Sequence, residues 1–112
     1  MLKELPIIRR ATIDDYESIA QLHFLSHTLS FAPFASEHWL NSRRPDHYLH
    51  KWRDILSRAS DRSLNLVARS AGKTVGMVRV ARSEIPESAP DKNSAELSGM
   101  HVAPGLTGQG IG

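Results

Sequence analysis

The sequence predicts an α+β fold in which helices cover a mixed, mostly antiparallel sheet. Two helical stretches with apolar stripes come early in the chain, and three stretches rich in β-branched residues follow them. A segment in which glycines alternate with other residues comes last. With 112 residues, 40% of them hydrophobic, the chain has the length and composition of one small globular domain.

The N-terminal part is predicted to be a short strand followed by a helix. Residues 6–11 form the strand, and residues 12–15, Thr-Ile-Asp-Asp, have the spacing of a helix N-cap, in which a threonine oxygen accepts a free backbone N–H. Apolar residues then recur at helical intervals between Tyr16 and Leu25. This period predicts a helix over residues 13–27 with one apolar face.

The next segment, residues 28–44, has no clear period and contains Pro33, so it is predicted to be mostly loop, with room for a helical turn. Its aromatic residues Phe31, Phe34 and Trp39 have two interpretations. They either cover the core or line an apolar pocket.

A second helix is predicted at about residues 46–59, after Pro45, because proline suits the first position of a helix. Its apolar stripe consists of Tyr48, Trp52, Ile55 and Ala59. Residues 64–69 and 74–82 then form a hairpin around Gly72-Lys73. A polar loop at 84–94 leads to the last strand, Ala95 to Ala103, which gives the order β-α-α-β-β-β-loop.

The composition of the chain argues against several classes of function. There is no cysteine, which removes disulfides, thiolate–zinc sites and thiol nucleophiles and fits a cytoplasmic protein. The N-terminus is too charged for a signal peptide, and no apolar run reaches the ~18 residues of a membrane span. The net charge is +2, but the ten arginines and four lysines are scattered, so no nucleic-acid partner is predicted. A mild positive field equally suits a small anionic cofactor.

Two histidine pairs have helical spacing. They are His23 with His27 and His47 with His50. Each pair supplies at most half of a metal site, and no glutamate completes an HExxH motif. Solvated helix faces are therefore the expected role, and no metal site is predicted.

The glycine segment is the strongest functional signal. Alternating glycines let the backbone turn tightly and aim several N–H groups at one point, as phosphate-binding loops do. A Walker loop needs Gly-Lys-Ser/Thr, which is absent, and a dinucleotide fingerprint needs its glycines directly after the first strand. Taken alone, a glycine-rich segment of this kind is more often simply flexible.

A third pattern fits the segment. VAPGLTGQGIG, residues 102–112, resembles the acyl-CoA loop of GNAT-type N-acetyltransferases. The opening IIRRATIDDYESIAQL is similar to the first strand and capped helix of that family, and AGKTVGMVRV is similar to its second and third strands. The resemblance implies an acyl-CoA N-acyltransferase-like, three-layer α/β domain. Residues 1–112 correspond to its N-terminal half, truncated before the helix that follows the pyrophosphate loop.

The resemblance also implies the transfer of an acetyl group from acetyl-CoA, as cosubstrate, to an unknown amine acceptor. It assigns the pyrophosphate to backbone N–H groups of Thr107, Gly108, Gln109, Gly110, Ile111 and Gly112. It assigns the pantetheine arm and thioester oxygen to peptide groups of Met100, His101 and Val102, at the splayed edge of the fourth strand. The family usually has arginine or glutamine at Thr107, so a charged contact worth about 1–3 kcal/mol is missing.

Two residues are candidates for the catalytic base. Some family members carry a glutamate six residues before the valine that corresponds to Val102, and Glu96 is in that position. Strand alternation predicts Glu96 on the same side as Met100 and Val102, where a partly buried carboxylate can take a proton near neutral pH. The alternative interpretation of Glu96 is a solvated residue at the end of the strand. His101, on the opposite face, is the second candidate, with a surface or packing role as its alternative.

The acid that protonates the leaving thiolate is commonly a tyrosine from the half of the family's domain that follows the loop. Tyr16 and Tyr48 lie on apolar stripes and are expected in the core, so these 112 residues are predicted to be inactive or nearly so. The open edge at residues 100–102 predicts a homodimer or larger assembly. The alternative to an enzyme is a non-catalytic module that binds CoA or another protein.

Overall fold

The computed structural model describes residues 5–58, 63–82, 95–107 and 111–112, and shows an antiparallel sheet with helices packed on one face. The strands are β1 (Ile7–Arg10), β2 (Ser63–Ser70), β3 (Lys73–Arg82) and β4 (Ala95–Val102). Each strand pairs with its neighbour in the order β1-β2-β3-β4. The predicted α+β class and the order of the strands are confirmed, and every described pairing is antiparallel. The predicted polar loop at 84–94 lies outside the described residues.

The helical layer contains one α-helix more than the sequence predicted. It consists of a 3-10 turn (Ile13–Asp15), α1 (Tyr16–Phe31), α2 (Glu37–Ser42) and α3 (Pro45–Ser57). Helix α1 runs a turn beyond the predicted end at residue 27, and α2 lies within the predicted loop. A six-residue helix is too short to show a period; its only local signal is Ser36, whose hydroxyl accepts the Trp39 N–H at 3.1 Å. None of the described helices is long and apolar enough to cross a membrane.

The start of the helical layer is tied to β1 through Asp15. Thr12 is the predicted N-cap and forms a capping box with Asp15, whose carboxylate accepts the Thr12 N–H at 2.7 Å. The same carboxylate accepts two N–H groups of the Arg9 guanidinium, at 2.7 and 2.8 Å. The side-chain hydrogen bond to Arg9 lowers the pKa of the buried Asp15 carboxyl. These bonds fix the angle at which α1 leaves the first strand.

The core lies between the helices and the inner face of β2 and β3. Its buried members are Ile19, Ala20, Leu22, Tyr48, Trp52, Val67 and Met77. The predicted stripe of the second helix is confirmed at Tyr48 and Trp52, which are buried, with Ile55 partly buried against them. At the end of the first helix's predicted stripe, however, Leu25 is exposed.

The β2–β3 hairpin turns one residue earlier than predicted. Ser70 pairs with Lys73, so the two turn residues are Ala71 and Gly72, with φ angles of 51° and 74°. Two residues in the left-handed region match the right-handed twist of the strands. The Arg69 side chain stabilises the turn by donating a hydrogen bond to the Gly72 carbonyl at 2.8 Å.

Candidate functional site

The register of β4 decides which of its peptide groups face outward, since β4 is an edge strand in the described part of the sheet. The Ala103 N–H donates to the Val75 carbonyl at 2.8 Å. In an antiparallel pair, every second residue exchanges hydrogen bonds with the residue opposite it on the partner strand. The residues between direct their N–H and C=O groups away from that strand. The peptide groups of Met100 and Val102 therefore face the open edge, whereas those of His101 face β3.

A bulge in β4 changes which residues share a face of the sheet. The pairs on either side are Arg79 with Gly99 and Val80 with Leu97. Ser98 is therefore an extra residue, and one extra residue reverses the alternation beyond it. The strict alternation on which the prediction for Glu96 depended is therefore interrupted between Glu96 and Met100, and the role of Glu96 stays a prediction. The Glu96 backbone pairs with Ala81, and its side chain lies outside the described part.

The glycine segment leaves β4 and comes back against the sheet. Gly105 takes a φ of 87°, which turns the chain. A Cβ atom on Gly76 in β3 would lie 2.9 Å from Cγ2 of Ile111, and one on Gly112 would lie 3.6 Å from the sulfur of Met100. Gly76 thus gives Ile111 the space to lie directly on the sheet.

Of the residues predicted to hold a pyrophosphate, the structure describes three. Thr107 is exposed just beyond β4, and Ile111 and Gly112 lie beside β3 and β4. Gly108, Gln109 and Gly110 lie outside the described residues, so the convergence of their amides stays a prediction. On the sheet face away from the helices, Ile111 borders an apolar cavity of about 240 Å³. Its other apolar lining residues include Ile8, Leu66, Val78, Met100 and Val102.

On the helical face, three histidines from α1 and β4 form a histidine cluster. The ring centroids of His23 and His101 are 4.4 Å apart, and those of His23 and His27 are 6.1 Å apart. The Trp52 indole N–H donates to Nδ1 of His23 at 3.0 Å. Because an indole nitrogen only donates, the neutral His23 carries its proton on Nε2. Nδ1 of His101 lies 3.1 Å from the Ser26 hydroxyl.

The surroundings of the histidine cluster lower the pKa of all three rings. Burial is the largest cause for each, and it brings the pKa of His23 from 6.5 to about 4, with the charges of His101 and Lys51 adding to it. For His27 the added causes are Arg43 and Lys51, and for His101 they are His27 and Lys51. Among the described residues, the charged groups that lower these pKa values are all basic side chains.

Two cavities open beside the cluster. The first, about 380 Å³, lies between α1, α3, β3 and β4 and is called the histidine cavity; its polar lining consists of His23, His27, Lys51, Arg79 and His101. The second, about 480 Å³, is called the aromatic cavity and is lined by His27, Phe31, Phe34, Ala35, Ser36 and Trp39. His27 lines both. Phe31 and Phe34 are 50% and 86% exposed, so these rings border open space instead of being sealed in the core.

Arg43 joins the three helices next to these cavities. Its guanidinium carbon lies 4.5 Å from the Trp39 ring centroid and 5.2 Å from that of Tyr48. It also donates to the Thr28 hydroxyl at 3.1 Å. Sequence analysis missed this role, because in the sequence Arg43 is only one of two adjacent arginines and its partners come from three helices.

Metal ligation has no support in the described ranges, where no group of three or more His, Cys, Asp or Glu side chains could hold a metal ion. In the histidine cluster, Nδ1 of His23 is occupied by the indole, and Lys51 and Arg43 would repel a cation. His47 packs its ring against Tyr48 on α3, 5.9 Å between centroids.

The sequence model of the acetyltransferase (GNAT) family matches residues 20–112, which is most of the chain. The chain belongs to the GNAT acetyltransferase family. No curated protein is significantly similar to it in sequence.

Three solved GNAT-like structures show the same fold. The PaiA N-acetyltransferase of Thermoplasma acidophilum, solved with coenzyme A, is 22% identical with a TM-score of 0.74 over 96% of this chain. The aminoglycoside 6'-N-acetyltransferase AAC(6')-Ih of Acinetobacter baumannii is 18% identical, with a TM-score of 0.65 over 95%. An acetyltransferase of Thermus thermophilus is 15% identical, with a TM-score of 0.67 over 99%. This GNAT chain spans 65%, 63% and 64% of their lengths, less than two thirds of each.

Proposed function

We propose that residues 1–112 form the N-terminal half of an acetyl-CoA-dependent N-acetyltransferase domain, which transfers an acetyl group from acetyl-CoA to an amine. The observation that carries this proposal is the family match over residues 20–112, which ends on a glycine segment that follows an open β-edge. The neighbour from T. acidophilum was solved with coenzyme A bound, which supports the same cosubstrate here.

The residues at the end of β4 fit an acyl-CoA. The outward peptide groups of Met100 and Val102 offer an N–H and a C=O in the way a neighbouring strand would, which suits the amide-containing pantetheine arm. Beyond them, we propose that backbone amides of residues 107–112 bind the diphosphate, as those of a phosphate-binding loop do. Ile111, seated against Gly76, anchors the end of this segment to β3.

His101 and Glu96 remain the proposed bases. A base takes a proton from the acceptor ammonium, the freed nitrogen forms a bond to the thioester carbonyl carbon, and the CoA thiolate leaves. Burial lowers the pKa of His101, so its ring is neutral and able to accept a proton at pH 7. When Nδ1 donates to the Ser26 hydroxyl, Nε2 is the atom that accepts. In the complete domain, loss of the acidic limb of the kcat/KM–pH profile in His101→Gln but not in Glu96→Gln would assign the role to His101.

Calorimetric titration with acetyl-CoA tests the binding proposal. We expect binding, and we expect Thr107→Arg to tighten it about tenfold, because a charged hydrogen bond to the diphosphate is worth about 1–3 kcal/mol. Thr107→Leu is the matched control, which keeps the backbone N–H and adds no charge. Absence of heat with the wild-type chain, or equal affinities for the arginine and leucine variants, would show that this segment does not hold the diphosphate.

We propose that the 112 residues alone transfer acetyl groups slowly. The leaving thiolate needs an acid, and both tyrosines have other roles: Tyr48 is buried in the core, and the Tyr16 hydroxyl donates to Glu17 at 3.2 Å. An assay of thiol release with acetyl-CoA and a panel of amines tests this. Ready turnover would refute it, and acetyl-CoA binding without turnover is the expected result.

We also propose that two copies of the chain pair through β4. The outward peptide groups of an edge strand and the apolar side chains beside it, including a 47% exposed Met100, favour pairing with another strand. Sedimentation velocity should show a dimer, and Met100→Lys should produce a monomer, since a charge on the apolar face opposes pairing. A wild-type monomer at high concentration would contradict the proposal.

A further inference from the structure

We propose that the histidine cavity binds the carboxylate of the acceptor, so that the chain serves amines that carry a carboxylate next to an aromatic or apolar group. The inference rests on the proposed acetyltransferase function and names the acceptor class of that site. It concerns the two cavities that share His27, on the face of β4 where the ring of His101 lies.

The charge of the histidine cavity favours an anion. Lys51 lines it, and none of its described lining residues is a carboxylate. Lys51 is exposed on α3, whereas Arg79, which also lines the cavity, donates to the Asn65 side-chain oxygen at 3.0 Å and has a further partner. Arg43 is a second cation, which acts on the rings of His23 and His27. An acceptor with several positive charges would be repelled here, and a carboxylate would be attracted.

The cavity also supplies a hydrogen-bond donor of fixed orientation. The indole N–H of Trp52 occupies Nδ1 of His23, which forces the proton of the neutral ring onto Nε2. His23, which lines the cavity, therefore carries an N–H at Nε2 while remaining uncharged. Together with the ammonium of Lys51, this gives a carboxylate one neutral and one charged donor.

The aromatic cavity gives the acceptor a second point of attachment. It shares His27 with the histidine cavity, and its other large side chains are Phe31, Phe34 and Trp39. The ring centroid of His27 lies 4.7 Å from that of Phe31 and 6.2 Å from that of Trp39, so His27 packs against the aromatic side chains of this cavity. An aromatic ring beside the carboxylate of the acceptor would stack among these side chains. A free aromatic amino acid combines both groups with an amine.

Ligand titrations followed by the histidine ring C–H resonances test this in the 112-residue chain. The probes are L-phenylalanine, N-acetyl-L-phenylalanine, L-phenylalaninamide and 2-phenylethylamine, which share one ring and differ in charge. We expect the two carboxylates to shift the resonances of His23 and His27 and to bind about two- to fivefold more tightly than the amide and the amine, as for an exposed ion pair. Lys51→Met should remove that difference.

Arg53→Met is the matched control. Arg53 lies on the same helix, is exposed and does not line the cavity, so its loss lowers the net charge equally and should leave the preference intact. Equal or tighter binding of the amide and the amine would overturn the proposal, and so would equal effects of the two variants. Titration of acetyl-CoA in the same samples separates failure of the carboxylate proposal from failure of the acetyltransferase proposal. The proposed acetyl-CoA contacts are at the edge of β4 and in the glycine segment, and not in the histidine cavity.

Discussion

The indole N–H of Trp52 donates to Nδ1 of His23 at 3.0 Å, and this bond joins α3 to α1 at the centre of the candidate site. Trp52 is 2% exposed, so its only polar side-chain atom has its partner inside the helical layer. The bond fixes the His23 tautomer, and His23 in turn packs on His101 of β4. One buried hydrogen bond therefore links the core to the strand that is proposed to carry the chemistry.

The depressed pKa of His23 predicts a loss of stability in mild acid. Between pH 6.5 and about 4 the unfolded chain binds a proton that the folded chain does not, so stability falls as the pH falls through this range. Because the ring is half-buried and solvent screens its charge, we expect about 1–2 kcal/mol from this residue. In urea unfolding from pH 7 to 4, His23→Gln should lose less stability than the wild type by that amount.

His50→Gln is the control for this prediction, since His50 is exposed on α3. It should follow the wild-type curve. The stability of His23→Gln should still depend on pH to some extent, because the pKa values of His27 and His101 are lowered as well. If the free energy of unfolding changed with pH by the same amount in the wild type and in His23→Gln, the His23 ring would have its ordinary pKa.

Removing the charge of Asp15 should destabilise the fold at neutral pH. Asp15→Asn weakens the bonds to the Arg9 guanidinium and to the Thr12 N–H, which we expect to lower the free energy of unfolding by about 1–3 kcal/mol. The hydrogen bond to Arg9 lowers the Asp15 pKa, so this stability is present above the ordinary value of 3.8 and is lost as the pH falls below it. Wild type and variant should therefore converge in acid. Asp54→Asn, which breaks an exposed pair with Arg58, should have little effect.

Adding a methyl group at Gly76 should displace Ile111 from the sheet. The new Cβ atom would lie 2.9 Å from Cγ2 of Ile111, so Gly76→Ala should weaken acetyl-CoA binding. Unfolding free energy should change by less than about 1 kcal/mol, because the clash is with a side chain that can move away. Adding Ile111→Ala removes Cγ2, and the double variant should bind acetyl-CoA better than the sum of the single losses predicts.

Gly99→Ala is the matched control, since a Cβ atom at Gly99 in β4 meets nothing within 4 Å. It should leave acetyl-CoA affinity unchanged in calorimetry. Equal losses at Gly76 and Gly99 would mean that Ile111 plays no part in positioning the loop.

The hairpin turn offers a stabilising substitution. Ala71 has a φ of 51°, a region that asparagine tolerates better than alanine, and Asn-Gly is the preferred pair for a two-residue hairpin turn. Ala71→Asn should raise the unfolding free energy by about 0.5–1 kcal/mol in urea denaturation. Gly72→Ala should lower it, and since a Cβ there meets nothing within 4 Å, that loss reports backbone conformation alone.

The sequence alone determined the order of the strands, the capped start of the first helix, the Tyr48 and Trp52 stripe and the glycine segment that indicates the family. These features depend on residues close together in the chain, through period 3.6 or 2 or through a contiguous motif. Where the local signal was weak the prediction was less complete: residues 28–44 were predicted mostly as loop with room for a helical turn, and the structure forms the short helix α2 there.

The tertiary structure alone decided which residues make up the candidate site. A bulge at Ser98 is set by the pairing of β4 with β3, and it interrupts the strict alternation that the sequence alone predicts along this strand. His23 and His101 are far apart in sequence, and only the packing of α1 on β4 brings their rings to 4.4 Å. Burial and nearby cations then set the charge state of these rings, and both are properties of the packed chain.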